Sequence, residues 1–143
     1  MTPSVRAVAC IALGLALACG RGSSAPKPPQ PAPPTIGGRI DPAPYRSEIE
    51  ATEALLYTKE PLTDDGWKDL SRSLLELHNA IVFRDNSALA RETSGRIVFL
   101  SATVDAEPAT HHNAEELVVM RTVWEKIRAD QFASASWFRS ATP

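Results

Sequence analysis

The sequence predicts a small all-α protein in which residues 45–143 form an antiparallel bundle of about four helices. Within these residues, apolar side chains recur at intervals of three and four, the spacing of one face of an α-helix. Short stretches rich in Pro, Asp, Asn or Ser separate the periodic segments, so the predicted helices are joined by short links. The segment is close to the common domain size of about 100–150 residues and is long enough to bury a core without disulfides.

The first two helices are predicted from clear apolar faces. The first runs from Pro44 to Tyr57 and ends before Pro61, because proline cannot continue the helical hydrogen bonds. Its inward positions are Tyr45, Ile49, Thr52 and Leu56, and its outward positions are Arg46, Glu48, Glu50 and Glu53. The second helix begins at Thr63 or Asp64, either of which can cap it. Its inward positions are Trp67, Leu70, Leu74, Leu77 and Ile81.

The third segment, residues 87–104, permits two interpretations. As a helix, the segment places five residues on its inward face: Leu89, Thr93, Ile97, Leu100 and Val104. Gly95 weakens the middle of that helix by about 1 kcal/mol relative to alanine. The run from Arg96 to Val104 is also rich in β-branched residues and fits a buried strand. We predict the helix, because only residues 80–83 offer a partner strand and an isolated two-stranded pair is marginally stable.

The fourth helix has the clearest start signal. Asn113 followed three residues later by Glu116 matches the capping-box pattern of a helix N-terminus. The apolar face that follows consists of Leu117, Met120, Trp124 and Ile127, and then Phe132 and Phe138.

The charge balance of the predicted domain excludes two classes of partner. Residues 45–143 contain 11 Lys and Arg against 16 Asp and Glu, so this part of the chain carries a net charge of −5. A negative domain is unsuited to binding nucleic acid or to lying flat on an anionic membrane.

Residues 19–44 are predicted to be a disordered, proline-rich linker. Eight prolines lie between positions 26 and 44, and there is little to bury apart from Ile36 and Ile40. Such a segment cannot offset its ordering entropy by burying apolar surface. Its densest part, residues 26–34, favours an extended polyproline II conformation. A ligand for a proline-binding groove is the alternative interpretation.

The first 18 residues have the three parts of a signal peptide. Arg6 supplies positive charge, residues 7–17 are apolar, and small residues lead to Cys19. The apolar run is far shorter than the roughly 20 residues that span a bilayer as a helix.

The stretch Ala16-Leu17-Ala18-Cys19-Gly20 resembles the lipobox of bacterial lipoproteins. The resemblance implies that residues 1–18 are cleaved off and that Cys19 carries diacylglycerol and an N-acyl chain such as palmitate. Because Gly20 replaces the Asp that marks inner-membrane retention, it also implies an outer-membrane anchor with the domain in the periplasm. An ordinary cleaved signal peptide with an incidental cysteine is the alternative interpretation.

No pattern in the sequence predicts catalysis, a cofactor or a metal site. His111 and His112 form i, i+4 pairs with Glu115 and Glu116, but zinc needs three or four ligands and no spacing supplies the others. His78 is predicted at the edge of the second helix. Cys10, the second cysteine, leaves with the signal peptide, so the mature domain has no thiol to pair.

The aromatic C-terminus is the least ordinary feature of the domain. Trp137 and Phe138 follow a run of small residues and are interpreted either as core packing or as an exposed anchor for a partner, because Trp is frequent in interface hot spots. The predicted function is a protein-binding or envelope-assembly module at the outer membrane, and not an enzyme. A metal- or small-ligand-binding helical bundle is the alternative.

Overall fold

Four α-helices dominate the computed structural model, which describes residues 35–106 and 109–140. Their bounds are Arg46–Leu56 for α1, Asp64–Arg84 for α2, Ala88–Ala106 for α3 and Ala114–Gln131 for α4. Short 3-10 turns precede α1 at Ala43–Tyr45 and α4 at Ala109–His111. The small all-α bundle predicted from the sequence is therefore confirmed, and the run from Arg96 to Val104 is helical.

The helix starts follow the predicted capping chemistry. The Thr63 side chain accepts a hydrogen bond from the backbone N–H of Gly66 at 3.1 Å and caps α2. The Asn113 side chain accepts one from the N–H of Glu116 at 2.9 Å and caps α4. Each cap satisfies one of the backbone donors that a helix N-terminus leaves without an intrahelical partner.

Polar side chains join each neighbouring pair of helices inside the bundle. Hydroxyl groups meet at 2.9 Å between Thr52 of α1 and Ser73 of α2. A second hydroxyl pair at 2.9 Å joins Ser71 of α2 to Ser101 of α3. Between α3 and α4, the Thr93 hydroxyl donates to the Gln131 side-chain oxygen at 2.8 Å. Each of these buried groups has a hydrogen-bond partner on the neighbouring helix. The three contacts therefore help to specify how the helices align, at no cost in unpaired hydroxyl or amide groups among these residues.

The core contains almost every residue that periodicity assigned to it. The inward residues predicted for α1 and α2 are all buried, and in α3 only Leu89 is partly exposed. Leu117, Met120, Trp124 and Ile127 of α4 are buried, as is Phe132 just after it. Helical spacing alone therefore predicts which face of each helix packs inward.

The prediction that Glu53 faces solvent is wrong. Its side chain is fully buried between α1 and α4. Glu53 comes directly after the inward Thr52 and three residues before the inward Leu56, so it lies at the edge of the buried face of α1. A carboxylate is tolerated there because it accepts hydrogen bonds from two side chains of α4 and from the backbone N–H of Arg139.

The folded unit begins earlier than the boundary predicted at Tyr45. Strands β1 (Thr35–Ile36) and β2 (Arg39–Ile40) form a hairpin, and Ile40 is buried in the core. Ile40 forms a parallel bridge with Phe132, and its carbonyl accepts the N–H of Ala133 at 2.9 Å. The last residues of the predicted linker are thus part of the fold, because one isoleucine finds a buried site beside the end of α4.

The hairpin turn uses two glycines in left-handed conformations. Gly37 has φ of 59° and Gly38 has φ of 76°. A two-residue hairpin loop with both central residues at positive φ suits glycine, because a side chain there would be strained.

Gly95 is expected to be a site where alanine stabilises the fold. A Cβ placed there meets nothing within 4 Å, and the residue is exposed in the interior of α3. Gly95→Ala should raise the free energy of unfolding by about 0.5–1 kcal/mol, since glycine is a poor helix former. Urea unfolding of the full chain, followed by circular dichroism, measures the change.

Gly66→Ala is the matched control for this prediction. A Cβ at Gly66 lies 3.1 Å from Leu62 Cδ2, so the gain in helix propensity is offset by crowding. A stability gain at Gly66 equal to or larger than that at Gly95 would contradict the interpretation of Gly95 as an open position.

Candidate functional site

The C-terminal segment, residues 132–140, is held on the bundle by the buried Glu53 carboxylate. Glu53 Oε1 accepts hydrogen bonds from Trp124 Nε1 at 3.1 Å and from the Arg128 guanidinium at 2.5 Å. Glu53 Oε2 accepts the backbone N–H of Arg139 at 2.8 Å, and the Arg139 carbonyl accepts from Arg128 at 2.5 Å. One carboxylate thus joins α1, α4 and the end of the described chain.

Trp137 and Phe138 lie half-buried in this segment. Their rings form an edge-to-face pair with centroids 4.7 Å apart, and both pack against the core. The Arg46 guanidinium lies 5.3 Å from the Trp137 ring centroid, and the Arg128 guanidinium lies 4.8 Å from that of Phe138. The rings are therefore positioned by the bundle while part of each stays accessible, and their role as partner contacts stays a prediction.

A second surface, the α3–α4 groove, was not predicted from the sequence. Its apolar residues are Gly95 and Phe99 of α3 and Val123 and Ile127 of α4, and its charged rim consists of Arg91, Glu92, Arg96 and Lys126. The groove is shallow and largely open to solvent, with a volume of about 470 Å³. The Phe99 side chain is 74% exposed and Val123 39% exposed, although both are large and apolar. Large exposed apolar patches rimmed by polar residues mark interaction surfaces, and this groove has the same arrangement on a smaller scale.

The signal for this groove is present in the sequence. Once Ile97, Leu100 and Val104 are assigned inward, the intervening Phe99 has to lie on the outer face of α3. That Phe99 and Val123 lie on one surface cannot be read from periodicity, because it depends on how α3 and α4 align. The contacts from Thr93 to Gln131 and from Arg96 to Asp130 establish that alignment as antiparallel.

A separate depression lies between the α1–α2 link and the start of α4. It holds about 480 Å³ and is lined by residues that include Tyr57, Leu62, His112 and Arg121. Arg121 donates to the carbonyls of Leu56 and, at 2.8 Å, of Thr58, so its charge is engaged in holding the link. Burial and the 2.9 Å hydrogen bond to Glu125 raise the pKa of Tyr57, which keeps this hydroxyl protonated as a donor. Arg121 therefore fixes the backbone of the link, and the Tyr57 hydroxyl is engaged with a side chain of α4.

The three histidines occupy two places in the chain: His78 lies on α2, and His111 and His112 are consecutive residues just before α4. His78 Nδ1 is 3.1 Å from the Ser94 carbonyl oxygen at the edge of α2. The His112 ring stacks on Trp67 with centroids 4.5 Å apart, and its Nε2 is 3.3 Å from the Val104 carbonyl oxygen. His111 is exposed. Among the described residues, no three His, Cys, Asp or Glu side chains are grouped to hold a metal ion.

Cys19, the predicted lipidation residue, lies outside the described residues. Within residues 35–106 and 109–140, no helix is both long and apolar enough to cross a membrane. No protein-family model, curated protein or solved structure matches this chain. Its function is therefore inferred from its own residues.

Proposed function

We propose that this protein is a bacterial lipoprotein, anchored in the outer membrane through Cys19, whose periplasmic helical domain binds another envelope protein. The proposal combines two independent parts, an anchor and a contact surface. The anchor is supported by the lipobox-like stretch before Gly20 and by the absence of charge between residues 7 and 19. The contact surface is supported by exposed apolar side chains in the described structure.

The observation that carries the contact function is the exposure of Phe99 beside Val123. A phenylalanine 74% exposed on an ordered helix forgoes most of the burial energy that a Phe side chain can contribute, about 1.5–3 kcal/mol. Its neighbours across the groove are also apolar, so the exposure is a feature of a surface and not of one side chain. A partner that covers this surface recovers the burial energy on binding.

The linker suits a protein that acts by contact. Prolines between positions 26 and 34 favour an extended chain that separates the domain from the lipid anchor. The anchor keeps the domain near the membrane, while the extended linker lets it reach partners at a distance from the bilayer. Tethering of this kind raises the effective concentration of a binding site without any new contact.

Lipidation is tested by the variant Cys19→Ala. In the producing bacterium, labelling with radioactive palmitate should be lost, and the protein should move from the membrane to the soluble fraction. Two or three acyl chains give stable anchoring because each buried CH₂ contributes about 0.8 kcal/mol. The matched control is Cys10→Ala, which changes a cysteine predicted to leave with the signal peptide and should keep full labelling. Unchanged labelling of Cys19→Ala would disprove the lipid anchor.

A further inference from the structure

The α3–α4 groove has the shape of a receptor for a bulky apolar side chain. Gly95 and Phe99 are one helical turn apart on α3, and Val123 and Ile127 are one turn apart on the antiparallel α4. Apart from its chain neighbours and the backbone of α3, nothing lies within 4 Å of the position that a Cβ would take on Gly95. The glycine therefore leaves open space between the apolar residues of the two helices, where an incoming side chain can pack.

The charges around the groove differ from those of the domain as a whole. Arg91, Arg96 and Lys126 border it, with Glu92 as the acidic residue of the rim. Arg96 pairs with Glu92 at 2.8 Å and with Asp130 at 3.4 Å, and Lys126 lies 3.6 Å from Asp130. Arg91 is exposed and has no ion-pair partner among the described residues. Three cations thus face the two carboxylates of Glu92 and Asp130, which leaves a surplus of one positive charge, on Arg91, beside this apolar surface of a domain with net charge −5.

This charge distribution discriminates between the candidate occupants. A second copy of the chain would bring the unpaired Arg91 of each copy to one interface and join two domains of net charge −5. An anionic membrane would meet the cations but also the strongly acidic remainder of the domain. An acidic partner helix instead matches both the rim and the groove, and an amphipathic helix lying in an apolar groove is a common mode of protein recognition.

We infer that the α3–α4 groove binds an amphipathic helix of another protein, which inserts a large apolar side chain beside Phe99 and places Asp or Glu residues against Arg91 and Lys126. The inference rests on the proposed contact function. It adds that the contact surface is the α3–α4 groove and that the partner is an acidic, amphipathic helix.

Selection from a peptide library tests whether the groove binds an acidic helix. The probe is a phage-displayed library of helical peptides of about 18 residues, which is five turns. It is selected on the full chain carrying Cys19→Ala and counter-selected on the same chain carrying Gly95→Leu. Leucine at position 95 adds a bulky side chain to the lining of the groove, and its Cβ lies in open space. The enriched peptides should carry apolar residues at helical spacing with Asp or Glu beside them.

Single variants then test the binding of an enriched peptide in solution. Phe99→Ala should weaken binding by about tenfold or more, as truncation of a hot-spot aromatic does. The matched control is Phe83→Ala, which removes a phenylalanine that is 82% exposed on α2 and outside the groove, and should leave affinity unchanged. Arg91→Glu should weaken the binding of an acidic peptide several-fold. Replacing the acidic residues of the peptide by lysine should weaken binding to the unchanged chain by a similar factor.

Several results would overturn the inference. Enrichment of basic or proline-rich peptides, or equal binding to the Gly95→Leu chain, would show that the groove is not a receptor for an acidic helix. Self-association that Phe99→Ala abolishes would assign the groove to a second copy. Phe99-dependent binding to phosphatidylglycerol vesicles would assign it to a membrane. None of these results changes the palmitate labelling of Cys19, which tests the anchor separately. The contact function of the domain would then rest on Trp137 and Phe138, whose contacts are measured independently of the groove.

Discussion

Replacing Glu53 with alanine is expected to lower the free energy of unfolding by about 3–5 kcal/mol. The Glu53 side chain is fully buried, while that of Arg128 is only 15% exposed, so the substitution leaves a largely buried guanidinium without its carboxylate. It also removes the acceptor for Trp124 Nε1 and for the N–H of Arg139. Because domains are stable by only about 5–15 kcal/mol, the loss is a large fraction of the total. Urea unfolding of the full chain measures it.

The control for this prediction is a carboxylate on the same helix. Glu50 pairs with Arg46 at 2.8 Å, but both side chains are about half exposed, and Glu50→Ala should cost about 0.5 kcal/mol or less. A double variant, Glu53→Met with Arg128→Met, should recover much of the stability lost in Glu53→Ala, because it removes both buried charges. Equal losses for Glu50→Ala and Glu53→Ala would contradict the structural role assigned to Glu53.

Truncation of Leu74 is expected to have the second largest effect. Leu74 is fully buried in the middle of α2, the helix that packs most extensively against its neighbours. Leu74→Ala should lower the free energy of unfolding by about 2–5 kcal/mol, through lost burial and the cavity left behind. The measurement is again denaturant unfolding, with the slope compared between variants to check that the unfolding transition stays cooperative.

Arg72→Ala is the matched control two residues away. Arg72 pairs with Asp69 at 2.6 Å, but both side chains are more than half exposed, so its removal should change stability by about 0.5 kcal/mol or less. Similar losses for Arg72→Ala and Leu74→Ala would show that the inward face of α2 is wrongly assigned.

The inward faces could be predicted from the sequence because they depend on local spacing. A residue such as Leu74 belongs to a series with period 3.6, and that period follows from helix geometry alone. Capping is equally local, since Thr63 and Asn113 bond to N–H groups three residues away. The helical state of the run from Arg96 to Val104 followed from the lack of a strong partner strand.

The features that were missed depend on contacts between distant parts of the chain. Glu53 is buried because it accepts hydrogen bonds from Trp124, Arg128 and Arg139, which lie 71 to 86 residues further along the chain. Nothing in the sequence near Glu53 distinguishes it from the other acidic residues of α1. Ile40 is buried because the end of α4 offers it a site. Each case depends on how the helices align, which periodicity does not contain.

The candidate site could be predicted only in part for the same reason. Trp137 and Phe138 were identified by composition, and the structure adds that each ring is half-buried and lies near a guanidinium. The α3–α4 groove was missed because it combines one face of α3 with one face of α4. Phe99 and Val123 are 24 positions apart in the sequence and become one surface only through the antiparallel packing of their helices.

Photo-crosslinking in the intact envelope tests most directly whether the domain acts by contact. A benzophenone-bearing amino acid is placed singly at position 99, at position 137 and, as the exposed control, at position 83. We predict a discrete protein adduct from position 99, its loss when Gly95→Leu fills the groove, and no adduct from position 83. An adduct from position 137 alone would move the contact to the C-terminal segment. No adduct from either position 99 or position 137 would contradict the claim that this domain is a protein-binding module.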